Sequence, residues 1–274
     1  MKLVKRTKWL PFLIGICLLA CSCGINLVSK RQEVELGRQI SQEIEKDPKV
    51  RLLDDPEITY YVQTIGQKLA RNSHWPDLSY HIKVIDSKEI NAFALPGGYL
   101  YVFRGLLDAV DNEAELASVV GHEIAHITER HATKQMSMAQ IYQIAAAIGG
   151  AATGAGQLGQ MAAGLGGAML FTKFSREDEA EADLYGTEYM IKSGYQPEAM
   201  VTMFQKLLKL HKEKPNLLEK LFASHPATED RIKDAKLRLQ ELKIPNKQDL
   251  VMNTPQFKRI KARLRVMSQF RIKD

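Results

Sequence analysis

The chain has 274 residues, 45% of them hydrophobic and 26% charged, which is enough apolar side chain to bury a core without staples and excludes an intrinsically disordered protein. Its net charge of +6 looks basic, but four of the positive charges (Lys2, Lys5, Arg6 and Lys8) precede the apolar run WLPFLIGICLLA and would leave with it, so nucleic-acid binding is not implied. All three cysteines, Cys17, Cys21 and Cys23, lie in or just after that run, which excludes a disulfide framework or thiol nucleophile in the globular part.

The start reads as a secretory signal, because the apolar run is about 12 residues long where a membrane span needs about 20. Leu18-Leu19-Ala20-Cys21 resembles a bacterial lipobox. Residues 1–20 are therefore expected to be removed, Cys21 to carry lipid, and residues 21–32 to form a tether. A single domain over 33–274 would follow, with a helical extension at its C-terminal end. Ser22 after the cysteine leans toward the outer membrane by likeness to sorting signals, with the domain on the periplasmic side.

Val34, Leu36, Ile40 and Ile44 predict a short amphipathic helix ending before Asp47-Pro48. Asp55-Pro56 reads as an N-cap and a first-turn proline, and Ile58, Tyr61, Val62, Ile65 and Leu69 keep helical spacing to about Arg71. YHIKVID alternates like a strand, and FALPGGYLYVF reads as two extended runs around Pro96-Gly97-Gly98. Asn112 and Glu115 form a capping box that opens a long helix through VVGHEIAHITERH. Residues 135–172 carry no charge and many glycines. Gln140, Gln143, Gln157 and Gln160 argue for a glycine- and alanine-rich helical hairpin there rather than a membrane span. FSREDEAEADLYG begins a helix to about Lys192, closed by Gly194, and Pro197 starts the next. SHPATEDRI leads into a polar helix to about residue 242. The tail after Pro255, with Lys258, Arg259, Lys261, Arg263 and Arg265, reads as a solvated helix face. The fold class is α+β: mostly helical, with one small antiparallel or mixed sheet of three or four strands.

Three of the seven histidines lie in VVGHEIAHITERH. His122 and His126, four apart, project from one helix face, which suits two tetrahedral zinc positions. Glu123, turned about 100° away, can act on water without taking a ligand position. His131 points in the wrong direction to join them and reads as a helix-surface or hydrogen-bonding histidine. For a third ligand the sequence offers REDEAEAD. There Glu179 and Asp183 share a face with Ala182 and Gly186, small residues that would let another helix approach closely, whereas Glu177 and Glu181 point elsewhere. Glu179 would bind the metal, and Asp183 would accept the other N–H of a ligating histidine.

HEIAH, SREDEAEAD with its ExxxD core, SHPATEDRI and NAFALPGGYLYVFRGLL together resemble the zinc metallopeptidase family that includes the CAAX prenyl protease and HtpX. The likeness is nearest to that family's bacterial periplasmic lipoproteins and covers residues 33 to 240. It implies a zincin-type domain with one Zn2+, held by His122, His126 and Glu179, with Glu123 as general base and Asp183 as an orienting residue or proton donor. The expected substrates are unfolded or misassembled envelope proteins, met at a membrane surface through the Cys21 anchor and without nucleic acid.

His225 and Arg231 are candidates to stabilise the oxyanion, and His225 could alternatively fill zinc's open position as a latch. The strand edge around Pro96-Gly97-Gly98 could accept an extended peptide by its backbone, which predicts broad specificity. Two other classes remain open on the sequence: a zinc-binding, chaperone-like protein with little hydrolysis, and a tethering lipoprotein indifferent to metal.

Overall fold

A computed structural model describes residues 25–149 and 173–270, apart from 227, 243, 245 and 246. The signal, Cys21 and most of the uncharged 135–172 segment lie outside the described residues. Among the described residues no helix is long and apolar enough to cross a membrane.

The chain is α+β and mostly helical around one mixed three-stranded sheet. Strand β1 (His81–Ile85) pairs in parallel with β3 (Tyr99–Phe103), and β2 (Ala92–Leu95) pairs antiparallel with the other side of β3, giving the order β1-β3-β2. Side chains alternate across the sheet. Ile82, Val84, Leu100 and Val102 enter the main core, while Tyr101, Phe103 and Leu95 face a smaller cluster. Helix α1 (Lys30–Lys46) supplies Ile40 and Ile44 to that second cluster, and its start is fixed by a reciprocal cap between Ser29 and Gln32. Helix α2 (Pro56–Ala70) begins as expected, with Asp55 accepting from the Ile58 amide. Short α3 (Arg104–Ala109) follows β3.

Helix α4 (Glu113–Thr128) runs through the middle of the main core, so nearly every position on it is buried. Its start is anchored by Glu113, which accepts from the hydroxyls of Tyr61, Tyr195 and Thr254. The capping box is only half formed. Asn112 accepts from the Glu115 amide, but the Glu115 carboxylate pairs with Lys206 and Thr202 and accepts from the Asp111 amide. The long helix expected through the histidine stretch also stops short. It ends at Thr128, Arg130 turns left-handed at φ 60°, and α5 (His131–Gly149) starts afresh. Buried Glu33 and the Val28 carbonyl grip the Arg130 guanidinium and hold the break.

Helix α6 (Arg176–Lys192) begins at a Ser175–Asp178 reciprocal cap and ends at Gly194, φ 76°. It lies against α4 at the expected small residues: Ala182 is fully buried, and Gly186 meets Gly121 with almost no space between backbones. Helices α7 (Glu198–Glu213), α8 (Glu219–Ser224) and α9 (Glu229–Glu241) close the other side. The basic tail is not simply solvated. As α10 (Pro255–Phe270) it buries Phe257, Ile260 and Leu264 in the main core, and Lys261 donates to the carbonyls of Leu107, Asp108 and Val110 around the end of α3. The basic residues occupy the remaining faces of an amphipathic helix.

Candidate active site

Four side chains from three elements converge beside the sheet. His122 and His126 come from consecutive turns of α4, Glu179 from the first turns of α6, and His225 from the residue that closes α8. Each is nearly inaccessible, and one ligand atom from each lies within 4.8 Å of all the others. His122 Nε2 is 3.0 Å from His126 Nε2, 3.4 Å from His225 Nδ1 and 3.6 Å from a Glu179 oxygen. The other Glu179 oxygen is 3.3 Å from His126 Nε2 and 2.7 Å from His225 Nδ1.

These spacings fit zinc. Four ligands at about 2.0–2.1 Å in a tetrahedron stand about 3.3–3.4 Å apart, within the range of distances the cluster shows. The proton count agrees. His122 Nδ1 lies 2.9 Å from Asp183 Oδ1, in a bent approach, and a proton there leaves a lone pair on Nε2. That lone pair faces His126 Nε2 at 3.0 Å with no apolar spacer, an arrangement a cation between them relieves.

Burial and charge are finely opposed at this cluster. Burial pushes Glu179 upward, but the His225 and His122 rings beside it, His225 within hydrogen-bond distance, hold its carboxyl well below the usual range. Burial drives His126 well below the ordinary histidine value, which favours the neutral ring a ligand needs. Burial also pulls His225 down, yet the Glu179 and Glu123 carboxylates outweigh it and raise the value. Glu123, 1% exposed, is raised by burial despite His225 and His122, and one of its oxygens has no hydrogen-bond partner. Its other oxygen is 3.7 Å from His225 Nε2.

Asp183 and Arg231 form a support under the first ligand. The Arg231 guanidinium clamps both Asp183 oxygens, at 2.6 and 2.9 Å, and reaches Glu179 at 2.5 Å. Burial would raise Asp183, but Arg231 and the His122 proton bring it below the ordinary aspartate value. Expected as an oxyanion donor, Arg231 spends its donors on these two carboxylates and on the Pro226 carbonyl. The sequence did not point to this clamp, although Asp183 and Arg231 were each singled out. Of the two readings of His131, the structure matches the hydrogen-bonding one and not the helix-surface one: it is fully buried, 2.8 Å from His126. Glu181 stays off the face of Glu179 and Asp183, as expected, and meets His131 at 3.0 Å. The break at Arg130 redirects His131, and no residue spacing announces that break. Phe174, stacked on His126 with ring centroids 4.0 Å apart, is a further neighbour that no motif marks.

Comparison with known proteins agrees with this geometry. A model of peptidase family M48 matches residues 56–239. The beta-barrel assembly-enhancing protease of Escherichia coli (strain K12) is 30% identical over 238 residues, 82% of this chain and 47% of that one. Metalloprotease LoiP of the same organism is 31% identical over 216 residues, covering 77% of this chain and 82% of its own. The mitochondrial metalloendopeptidase OMA1 of Schizosaccharomyces pombe is 30% identical over 188 residues, 68% and 54% of the two chains. The chain thus spans about half the length of the assembly-enhancing protease it matches.

Proposed function

The chain belongs to peptidase family M48 and carries that family's zinc metallopeptidase domain, and from this premise we propose that it is an endopeptidase of the bacterial cell envelope that cleaves unfolded or misassembled proteins. The observation that carries the reading is the convergence of His122, His126 and Glu179 on one point with Glu123 buried beside it. Zinc bound there supplies a Lewis acid that acidifies water and polarises a carbonyl. Glu123 would serve as the base that takes a proton from a water at the site and passes it to the departing amine, and its unpartnered oxygen leaves a lone pair free for the task. Asp183, braced by Arg231, holds the His122 ring in the tautomer that presents Nε2.

Substrate binding follows from the sheet. Strand β2 is an edge beside α4, and on the opposite edge β1 is covered by a bridge from Leu52. An extended peptide added to β2 would be read through its backbone, which only an unfolded chain can offer. Behind Glu123 and His225 an apolar cavity lined by Val119, Met200, Met203, Phe204 and Leu207 would favour an apolar side chain next to the cleaved bond. Lipidation at Cys21 would hold the enzyme on the periplasmic face of the outer membrane, in envelope quality control. The tests are direct. Cys21→Ala should abolish labelling with a radioactive fatty acid, and sequencing the products from an unfolded protein should give a loose consensus with apolar residues beside the cut. A tight polar consensus would count against the edge-strand reading.

A second reading is favoured by the position of one atom: His225 Nδ1 stands 2.7 Å from Glu179 and 3.4 Å from His122 Nε2, in the place a fourth ligand would take. We propose that His225 holds the resting enzyme latent. If so, His225→Ala raises resting activity; unchanged or lower activity defeats the latch.

A further inference from the structure

The metal cluster leaves one buried histidine without a role. His131 is fully inaccessible, yet both ring nitrogens are engaged: Nδ1 lies 2.8 Å from His126 Nδ1, and Nε2 lies 3.0 Å from Glu181 and 3.7 Å from Asp178. Both nitrogens of any buried imidazole need partners, and here one of them is the ring of a metal-cluster histidine while the other is a carboxylate.

Proton bookkeeping makes the chain directional. His126 turns Nε2 toward His122 and Glu179, so a lone pair is needed on that nitrogen. A neutral imidazole carries its one proton on the other nitrogen, which places Nδ1–H toward His131. Two N–H groups cannot share that contact, so His131 Nδ1 accepts. The proton of His131 then sits on Nε2, where the Glu181 carboxylate receives it. We propose that His131 is a positioning residue for the metal centre: held by Glu181, it accepts the His126 Nδ1–H and so fixes the tautomer and ring plane that present Nε2 to zinc.

The backbone supports this assignment. In an unbroken helix, residue 131 would lie about 140° around the axis from residue 126 and face away. The left-handed turn at Arg130, pinned by Glu33, starts a new helix and swings His131 back onto the ligand. Phe174 stacks on the ring of His126, so the ligand is held on its face and at its nitrogen. The arrangement parallels Arg231–Asp183–His122 on the other ligand, with a histidine in place of the carboxylate.

The inference rests on His126 being a zinc ligand, and the experiment separates the two. Zinc affinity of the full chain in detergent is measured by chelator competition for wild type, His131→Leu, His131→Asn and Glu181→Ala, alongside melting of the metal-free forms. His131→Leu should weaken zinc by about 10–100-fold, the usual cost of removing a partner of a ligating histidine. His131→Asn, which puts a carbonyl oxygen near the Nδ1 position, should recover most of that loss. Glu181→Ala, at a partly exposed side chain that folding tolerates, should weaken zinc by a smaller factor. In nitrogen-15 spectra of the zinc-loaded wild type, His131 should carry its proton on Nε2. A proton on Nδ1, or unchanged zinc affinity in His131→Leu, overturns the proposal while leaving the ligand assignment intact. A wild type that binds no zinc overturns the ligand assignment itself. A purely structural His131 would lower metal-free melting equally in both His131 variants, without rescue of affinity by asparagine.

Discussion

Replacing Gly186 by alanine tests how the sequence brings a glutamate on one helix to two histidines on another. A Cβ built at Gly186 would lie 2.9 Å from the amide nitrogen of His122, 3.0 Å from its Cα and 3.1 Å from the carbonyl carbon of Gly121. All three are backbone atoms that no rotamer change can move. Restoring ordinary contact requires α6 to retreat from α4 by about half an ångström, and overpacking of this kind costs about 1–3 kcal/mol. Against that, alanine in a helix interior gains about 0.5–1 kcal/mol over glycine. The midpoints of these ranges leave a net loss of about 1.3 kcal/mol, and at about 2–4 °C per kcal/mol for a chain of this size a fall in Tm of about 3–5 °C. Glu179 lies two turns earlier on the same face, so zinc affinity should fall as well. Gly121→Ala, whose nearest contact is 3.1 Å, should do the same more weakly. Melting with and without zinc, with chelator competition, reads both effects. A higher Tm for Gly186→Ala with unchanged zinc affinity would refute the close approach as the device that assembles the site.

Three further outcomes follow from the same structure. Arg231→Met should leave Asp183 and Glu179 buried without their cation, destabilising the fold by about 3–5 kcal/mol in denaturant titration and weakening zinc; an unaffected zinc affinity would deny the clamp its role. Ile260→Ala in α10 should cost about 2–5 kcal/mol while leaving zinc affinity per folded molecule unchanged, and a negligible cost would mean that the C-terminal helix does not pack as described. Buried tyrosines give a pH limit: burial raises Tyr80 to about 12 and Tyr61, Tyr101, Tyr189 and Tyr195 further. A raised folded value means that stability is fully present below the unfolded value of about 10 and is lost as pH climbs through the folded one. Tm should therefore drop steeply above pH 10, with phenolate absorbance at these residues appearing only on unfolding; their ionisation near pH 10 in the folded chain would contradict the burial.

What the sequence revealed and what it withheld divide along the range of the interactions. Asp55-Pro56 and Gly194 act through their own backbone, so their spacing was enough to place the start of α2 and the end of α6. The convergence of His122, His126 and Glu179, with Glu123 beside them, was legible because residues four apart share a helix face and these types are the ones that bind metals. Ala182 and Gly186 showed where α6 would meet another helix, since only small residues permit such an approach. The break at Arg130 was hidden because its cause, Glu33, lies 97 residues away in sequence. Because that break sets the direction of His131, its contacts with His126 and Glu181 were hidden with it, whereas Phe257, Ile260 and Leu264 carry the spacing of a buried stripe among the basic residues of α10.

The peptidase reading turns on Glu123, and one comparison decides it. Full-length chain, its Glu123→Gln variant and a chelated sample are assayed for bound zinc and for cleavage of an unfolded protein. The wild type and Glu123→Gln should each bind one zinc, and only the wild type should cleave, with the variant slower by about 10²–10⁴-fold. Cleavage by Glu123→Gln at the wild-type rate, or by the chelated sample, would contradict the assignment of this site as the peptidase centre.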